Sequence, residues 1–465
     1  MQEKTENLPW LRPLKERAGP RYLQIAALIE AGIADGHLDA GDRLPPQRGM
    51  AASLGVDLTT VTRAYDEARR RGLLEGRGAA GTFVAAQQAD LLRMVDLSMN
   101  IPPPPSDEDL GELLRDGLAQ VMLRADADQL MTYHLGGGSE ADKLAAAQWL
   151  LPVLGPVRTS AVTIAPGAQS ALAGLMLSLT RPDEMILAEA VIYPGLRSAA
   201  SSFGRRVESV AVDEHGMRPD ALAAALRKTG ARVIYLNPTI QNPTTVTMPE
   251  ARRREILAVA TRLDASIIED DPYWLLETDA PPPLARLAPE RVHYVSTLSK
   301  CLSPGVRTAF VVSPDAQHQK AFLDALRAFS PMRTPLVAAL VTQWMRDGSA
   351  GRLLAGVRAE ARERQRIAGQ VLGIPMLGRH ESRHGIHIWH ALPTYWNADE
   401  LATAARLEGL AVTPSTAFVG DDTAASGAIR ICLGEGNDRA RLSGALKRLS
   451  RLLARVPQDT RLGVI

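Results

Sequence analysis

The chain has few aromatic residues, little cysteine and almost no net charge. Phe, Trp and Tyr make up only 4% of its 465 residues, so a Tyr in a suggestive place carries weight. Its two cysteines, Cys301 and Cys432, stand in no paired spacing. That argues against a disulfide framework or a Cys-type zinc site and fits a reducing cytoplasm. Lys plus Arg is 53 against 52 for Asp plus Glu, a formal net charge of +1. A uniformly basic nucleic-acid binder and an acidic disordered chain are excluded; a local basic patch is not. No stretch approaches the roughly 18–20 uninterrupted apolar residues of a membrane span. Met1–Trp10 is polar and charged, unlike a signal peptide. The expectation is a cytoplasmic protein without membrane contact. The length suggests two or three domains, and 46% hydrophobic residues can fill real cores.

The pattern changes near residue 86. Short helical stretches and a Gly-rich hairpin precede it; the proline run Ile101-Pro-Pro-Pro-Pro-Ser106 follows and favours extended chain. Residues 1–86 read as one domain and 87–105 as a linker and extended arm. The body, 106–465, includes a smaller C-terminal subdomain from about 346. In the body, β-rich runs alternate with helical ones: Ala161–Ile164, Glu184–Ala188, Val207–Val212, Arg232–Leu236, Ala265–Ile268, His293–Val295 and Thr308–Val312. This α/β alternation predicts a mostly parallel sheet covered on both faces. Strands near Gly385–Leu392 and Ala428–Leu433 belong to the smaller α+β subdomain.

In the first domain, Tyr22–Ile33 and Gln47–Leu54 read as helices, the second opened by Pro45-Pro46. Asp57 is a candidate N-cap for a third, Leu58–Arg71, whose Val61, Ala64, Tyr65 and Ala68 form one buried stripe. Leu73–Glu75 and Thr82–Val84 flank a glycine-tipped turn. This is a helix–turn–helix followed by a wing, a form whose second helix enters the DNA major groove. Between Arg43 and Arg77, seven arginines face four acids, a local +3. Arginine suits phosphate and base edges, although a charge run is more often a solvated face.

Four segments of the body carry chemistry. Ser296-Thr-Leu-Ser-Lys300 continues to Arg307, placing a lysine among hydroxyls with a cation nearby. Such a loop can hold an anion beside an amine able to form a Schiff base. Ile267-Ile-Glu-Asp-Asp-Pro-Tyr273 is an apolar strand ending in acids, where α/β sheets bind ligands. Leu236-Asn-Pro-Thr-Ile-Gln-Asn-Pro-Thr-Thr245 also follows a strand. Ile164-Ala-Pro-Gly-Ala-Gln-Ser170 is a strand–turn–helix junction whose free N–H groups suit phosphate. Taken singly, each also reads as an ordinary loop, cap or turn.

Gly41-Asp-Arg-Leu-Pro-Pro-Gln-Arg48, Leu54-Gly-Val56, Thr60-Val61, Ala64-Tyr65, Gly72-Leu73 and Gly81-Thr82-Phe83 resemble the winged helix–turn–helix of GntR-family repressors. The resemblance implies that Arg48, Thr59, Thr60, Arg63 and Gly81 approach DNA, with Arg77 on the wing. Asp57-Leu58 stands where that family often has Ser-Arg. The four body segments together resemble a fold-type I pyridoxal-phosphate aminotransferase. That implies Lys300 as the aldimine lysine, Asp270 as the partner of the pyridine nitrogen, and Asn242 and Tyr273 as partners of the ring oxygen. Tyr193 matches the aromatic stacked on the ring. Ala168, Gln169, Thr297, Ser299 and Arg307 match the phosphate cup, and Arg430 the clamp on an α-carboxylate. Tyr133 matches a tyrosine reaching the neighbouring subunit's phosphate, which implies a homodimer. Asn100 stands at a substrate-facing position usually held by glycine, and Gly138–Lys143 lacks a frequent Leu-Arg pair.

His380, His384, His387 and His390 cluster without carboxylate or cysteine spacing, so no metal is expected and the segment reads as a small-domain strand. Cys301 reads as a small core residue. The combination resembles the MocR subfamily of GntR regulators. The expectation is therefore a transcriptional regulator that binds an operator in double-stranded DNA and responds to pyridoxal phosphate itself or to an amino-acid-like effector. A turning-over aminotransferase with an accessory DNA-binding domain, or a pyridoxal-phosphate scaffold without regulation, are the alternatives.

Overall fold

The structure, a computed structural model, describes residues 10–14, 19–35, 37–85, 94–277, 279–374, 385–420, 427–436 and 438–457. His380 and His384 of the histidine cluster lie outside the described residues. The chain divides into two compact units: 1–96 with 405–411, and 97–404 with 412–465.

The first unit holds α1 (Arg21–Ala34), α2 (Gln47–Leu54) and α3 (Leu58–Arg70), then the hairpin of β1 (Leu74–Gly76) and β2 (Thr82–Val84). Ile25, Ile29 and Ile33 of α1 meet Val61, Ala64, Tyr65 and Ala68 of α3, all fully or almost fully buried, around Trp10 and Leu44. The helical stripe of α3 thus closes a core of its own. Gly55, in the left-handed region at φ 62°, ends α2. Asp57 does occupy the N-cap of α3, but its side chain makes no capping hydrogen bond. The hairpin strand begins at Leu74 rather than Leu73, and its tip contains a helical turn, Gly78–Ala80. A short parallel pairing of Val95–Asp96 with Leu410–Ala411 completes the unit.

The second unit is built on seven strands: β3 (Val162–Ala165), β4 (Met185–Glu189), β5 (Arg206–Val210), β6 (Val233–Leu236), β7 (Ser266–Asp270), β8 (Val292–Thr297) and β9 (Ala309–Val312). Their spatial order is β3-β9-β8-β7-β6-β4-β5. β9 runs antiparallel to both neighbours, and the other pairings are parallel. Alternate residues enter two separate cores: Leu187, Ile234 and Ile267 one, Ile186, Val233 and Ile268 the other. That is why the strands read as unbroken apolar runs. A smaller sheet joins β10 (His387–Ala391), β11 (Thr413–Pro414) and β12 (Ala428–Cys432), with β12 in the middle. No described helix is long and apolar enough to cross a membrane.

Candidate cofactor site and nucleic-acid interface

The parallel strands deliver their carboxyl ends to one edge of the large sheet, where open α/β sheets bind ligands. β7 runs on through Asp270, so the acid is the last residue of the strand and not part of a loop. Asp270 Oδ2 accepts a 2.8 Å hydrogen bond from Tyr235 Oη on β6. Its Oδ1 is buried without a partner. Burial raises the Asp270 carboxyl to about 6, opposed by Tyr235 and by the charge of Lys300.

Asn237 follows β6 and donates to the Asp270 carbonyl at 2.8 Å. Its own side-chain oxygen accepts from the Asn242 backbone N–H at 2.7 Å. These bonds pin the Asn-Pro loop so that Asn242 Oδ1 accepts from Arg430 Nη1 at 2.8 Å. Arg430 lies on β12, donates through Nη2 to the Ser98 carbonyl at 2.7 Å, and stands over the Phe418 ring at 4.9 Å. Its Nε is buried without a hydrogen-bond partner. The residue is 8% exposed, yet no carboxylate pairs with it among the described residues. Buried arginines are ordinarily paired.

Lys300 follows β8, and Nζ donates to the Asn100 carbonyl. Burial lowers the amine to about 8, with the charges of Arg430 and Arg307 adding to the effect and Asp270 opposing it. Thr297 and Ser299 bond to each other through their hydroxyls at 3.2 Å and are buried together. Arg307 takes a left-handed backbone, φ 37°, and its guanidinium lies over Gly167 at the start of α4 (Ala168–Leu179). Gly167 has φ +97°, and a Cβ there would lie 2.8 Å from Arg307 Nη2. Glycine therefore lets a cation and the helix N-terminus share one cradle, an arrangement suited to phosphate. Gln169, in the first turn, donates to the Gly195 carbonyl at 2.8 Å and keeps Oε1 buried and unpartnered. A Cβ on Gly195 would come within 2.4 Å of the Tyr193 ring, so that ring folds back toward α4. The charges of Asp270, Arg307 and Arg430 all act on Tyr193.

The structure thus brings together Lys300, Asp270, Asn242, Tyr273, Tyr193, Arg307, Thr297, Ser299, Ala168, Gln169, Arg430 and Asn100. Tyr133 stands apart and is 78% exposed. Two residues escaped the sequence reading. Tyr235, read as a strand residue, is the hydrogen-bond partner of Asp270. His387, read as a small-sheet strand position, is fully buried with Nδ1 3.5 Å from Asn100 Nδ2. Alternation in β6 placed Tyr235 on the Asp270 side, a signal that was available; His387 depends on long-range packing. No cluster of metal-ligating side chains forms among the described residues.

In the first unit the local charge is redistributed. Arg69, Arg70, Arg71 and Arg77 pair with Asp66, Glu67, Glu30 and Glu75. Arg43, Arg48 and Arg63 form no ion pair among the described residues. Arg48 is exposed on the first turn of α2, and Arg63 is exposed on α3, its guanidinium 4.4 Å from the Tyr22 ring. Thr62 Oγ1 bonds Gln47 Oε1 at 2.8 Å, locking α3 against the start of α2 beside Arg48. Thr59 is exposed and Thr60 half-buried at the start of α3. On the wing, Arg77 stacks over Phe83 at 4.7 Å, and Gly81 approaches Arg43.

The sequence profile of aminotransferase class I and II matches residues 93–449, and that of bacterial regulatory proteins of the gntR family matches residues 21–84. The HTH-type transcriptional regulator YdeF of Bacillus subtilis (strain 168) is 29% identical over 462 residues, covering 96% of this chain and 98% of that protein. The HTH-type pyridoxine biosynthesis transcriptional regulator PdxR of Corynebacterium glutamicum is 27% identical over 422 residues, covering 87% and 90%. The solved structure of LysN, alpha-aminoadipate aminotransferase, from Thermus thermophilus, complexed with N-(5'-phosphopyridoxyl)-L-leucine, superposes with a TM-score of 0.69. It is 25% identical and covers 79% of this chain and 94% of that one.

Proposed function

The chain belongs to the aminotransferase class I and II family and carries a gntR-type DNA-binding domain ahead of it, and from that premise we propose that it is a cytoplasmic transcriptional regulator controlled by pyridoxal phosphate itself or by an amino-acid-like effector. The reading is carried by one observation: a buried Arg430 with no carboxylate partner among the described residues stands in the same site as Lys300 and Asp270, in a chain whose Arg48 and Arg63 on a helix–turn–helix also form no ion pair among those residues.

Pyridoxal phosphate fits the donor set. Asp270 Oδ1 and Gln169 Oε1 are unpartnered, and the Gly167 cradle is open to Arg307. When bound, the cofactor supplies an electrophilic carbon and an electron sink. Arg307, Thr297, Ser299 and the first amides of α4 would hold its phosphate. Asp270 is mostly ionised at neutral pH and would keep a pyridine nitrogen protonated. Lys300, lowered to about 8, is neutral in roughly a tenth of molecules at pH 7, far more than an ordinary lysine, and is a competent nucleophile in that form. Arg430 would turn its fork from the neutral acceptors Asn242 and Ser98 to an effector carboxylate, a charge-assisted exchange. Tyr193 closes one side of the site. Arg48, Arg63, Thr59, Thr60, Arg77 and Gly81 would face the operator.

Regulation requires that the effector bind two states of the protein unequally. A tenfold change in operator affinity corresponds to about 1.4 kcal/mol of coupling, and operator DNA must then change effector affinity by the same factor. Exposed Met122, Leu123, Met131 and Tyr133 favour a homodimer, in which Tyr133 would reach toward a second copy.

The test is spectroscopic. Adding pyridoxal phosphate should produce a protein-bound absorbance band that Lys300→Ala removes. A Lys300→Ala variant with the wild-type band would refute the reading. Sustained multiple-turnover amino transfer, with no operator binding, would favour an enzyme instead.

A further inference from the structure

His387 opens β10 with its imidazole fully buried. Each ring nitrogen has one group within hydrogen-bond distance, and the two are of opposite kind, while the Pro243 carbonyl also bears on the ring. Nε2 lies 3.4 Å from the Gln241 backbone carbonyl, which can only accept. Nδ1 lies 3.5 Å from Asn100 Nδ2, which can only donate. One proton satisfies both contacts if it sits on Nε2. Burial supports that neutral ring by pushing the imidazole down to about 3.

The polarity then propagates. The second N–H of Asn100 Nδ2 reaches Tyr273 Oη at 2.8 Å. Tyr273 spends a lone pair on Asn100, and burial keeps the phenol protonated. Its own proton is left free. In this orientation Asn100 Oδ1 is buried without a partner; in the flipped amide it would instead accept from Tyr273 and consume that proton. The flip would also present the same oxygen to His387 Nδ1. His387 would then need its proton on Nδ1, and its Nε2 lone pair would oppose the Gln241 carbonyl. His387 is therefore the group that forbids the flip.

We propose that His387 is a positioning residue of the cofactor site, locking the Asn100 amide so that the Tyr273 hydroxyl donates to an anionic oxygen of the ligand. The inference rests on the cofactor reading above and extends it to a residue on the smaller sheet.

The experiment titrates the bound pyridoxal phosphate absorbance from about pH 5.5 to 10 in the wild type, His387→Leu, His387→Gln, Tyr273→Phe and the Leu/Phe double variant. A donated hydrogen bond favours the ionised oxygen, so losing it raises the apparent pKa. His387→Leu should raise it by about one unit. His387→Gln, which can accept from Asn100 and donate to Gln241, should restore it. The double variant should shift no further than Tyr273→Phe, because His387 acts through Tyr273. In cofactor-free wild type, the 15N signals of His387, identified by their loss in His387→Leu, should show a neutral ring protonated on Nε2 at neutral pH. This second measurement does not depend on the stability of any variant. His387→Leu titrating like wild type, additive shifts in the double variant, or a proton on Nδ1 would each overturn the inference alone. A wild type without any bound absorbance band would overturn the cofactor reading and the inference together.

Discussion

Replacing Arg253 with methionine should destabilise the second unit by about 3–5 kcal/mol, the usual cost of breaking a buried pair by removing one partner. Arg253, on the helix Glu250–Arg262, is fully buried, as is Glu269, and their charged atoms lie 3.7 Å apart. The guanidinium also donates to the carbonyls of Met248 at 2.9 Å, Pro238 at 3.1 Å and Pro282 at 3.3 Å, and to Thr239 Oγ1 at 3.0 Å. Methionine fills much of the same space, so the loss is electrostatic and not a cavity effect. Glu269 keeps only the backbone N–H groups of Leu284 and Ala285, at 2.9 and 2.8 Å. Glu269 and Asp271 flank Asp270, and burial already holds both above the usual carboxylate range. Without Arg253, Glu269 should protonate on folding at a higher pH than in the wild type. Its folded pKa is then raised further above the unfolded value, so stability is regained as pH falls through it. The deficit should accordingly be smaller at about pH 5.5 than at about pH 8. Urea unfolding followed by circular dichroism at the two pH values measures this. A deficit under about 1 kcal/mol, or one no smaller at about pH 5.5 than at about pH 8, would refute the argument.

Other outcomes follow from the same geometry. Gly167→Ala forces a side chain into φ +97° and against Arg307; it should cost about 1 kcal/mol of stability and weaken pyridoxal phosphate binding several-fold in an equilibrium titration. Arg430→Gln should weaken amino-acid binding by about 10- to 100-fold while leaving the cofactor band in place, as read by spectral titration. Arg48→Ala and Arg63→Ala should each lower operator affinity and reduce the salt slope by about one, without altering the cofactor spectrum; anisotropy with labelled DNA reads both. His293, on β8, is buried with both ring nitrogens unpartnered and its ring 5.2 Å from that of His318. Burial lowers it from 6.5 to about 3. Below pH 6.5 the unfolded chain binds a proton that the fold refuses, so the cost grows until about pH 3. His293→Phe should gain on the wild type by about 1.4 kcal/mol per pH unit through that window, measured by urea unfolding.

Much of this was legible in the sequence because it is local. Turn glycines, strand ends and helix stripes depend on near neighbours, so the α3 stripe and the strand ends before Asp270 and Lys300 were readable locally, whereas the roles of Gly167's turn, Asp270 and Lys300 came only from the four segments taken together as a family resemblance. The basic count between Arg43 and Arg77 was legible as a sum but not as a surface. Acids at helical spacing neutralise Arg69 to Arg71, and among the described residues Arg43, Arg48 and Arg63 form no ion pair. Contacts between distant segments were not legible. His387 and Asn100 are far apart in sequence, and even Arg253 and Glu269, on a helix and the strand that follows it, meet only through tertiary packing. Neither periodicity nor motif spacing encodes which side of a small-sheet strand faces a buried site. The strand reading of the histidine cluster holds for His387 and His390, but its spacing said nothing of the contact between His387 and Asn100.

The central claim is that one ligand site governs DNA binding. The direct measurement is the affinity of the full chain for DNA upstream of its own coding region, by footprinting at fixed moderate salt, without ligand, with pyridoxal phosphate, and with pyridoxal phosphate plus each member of an amino-acid panel. The account predicts a specific footprint whose half-saturation shifts at least tenfold with the cofactor or with one amino acid, a shift abolished by Lys300→Ala or Arg430→Gln. A footprint indifferent to every ligand, or no specific footprint at all, would contradict it.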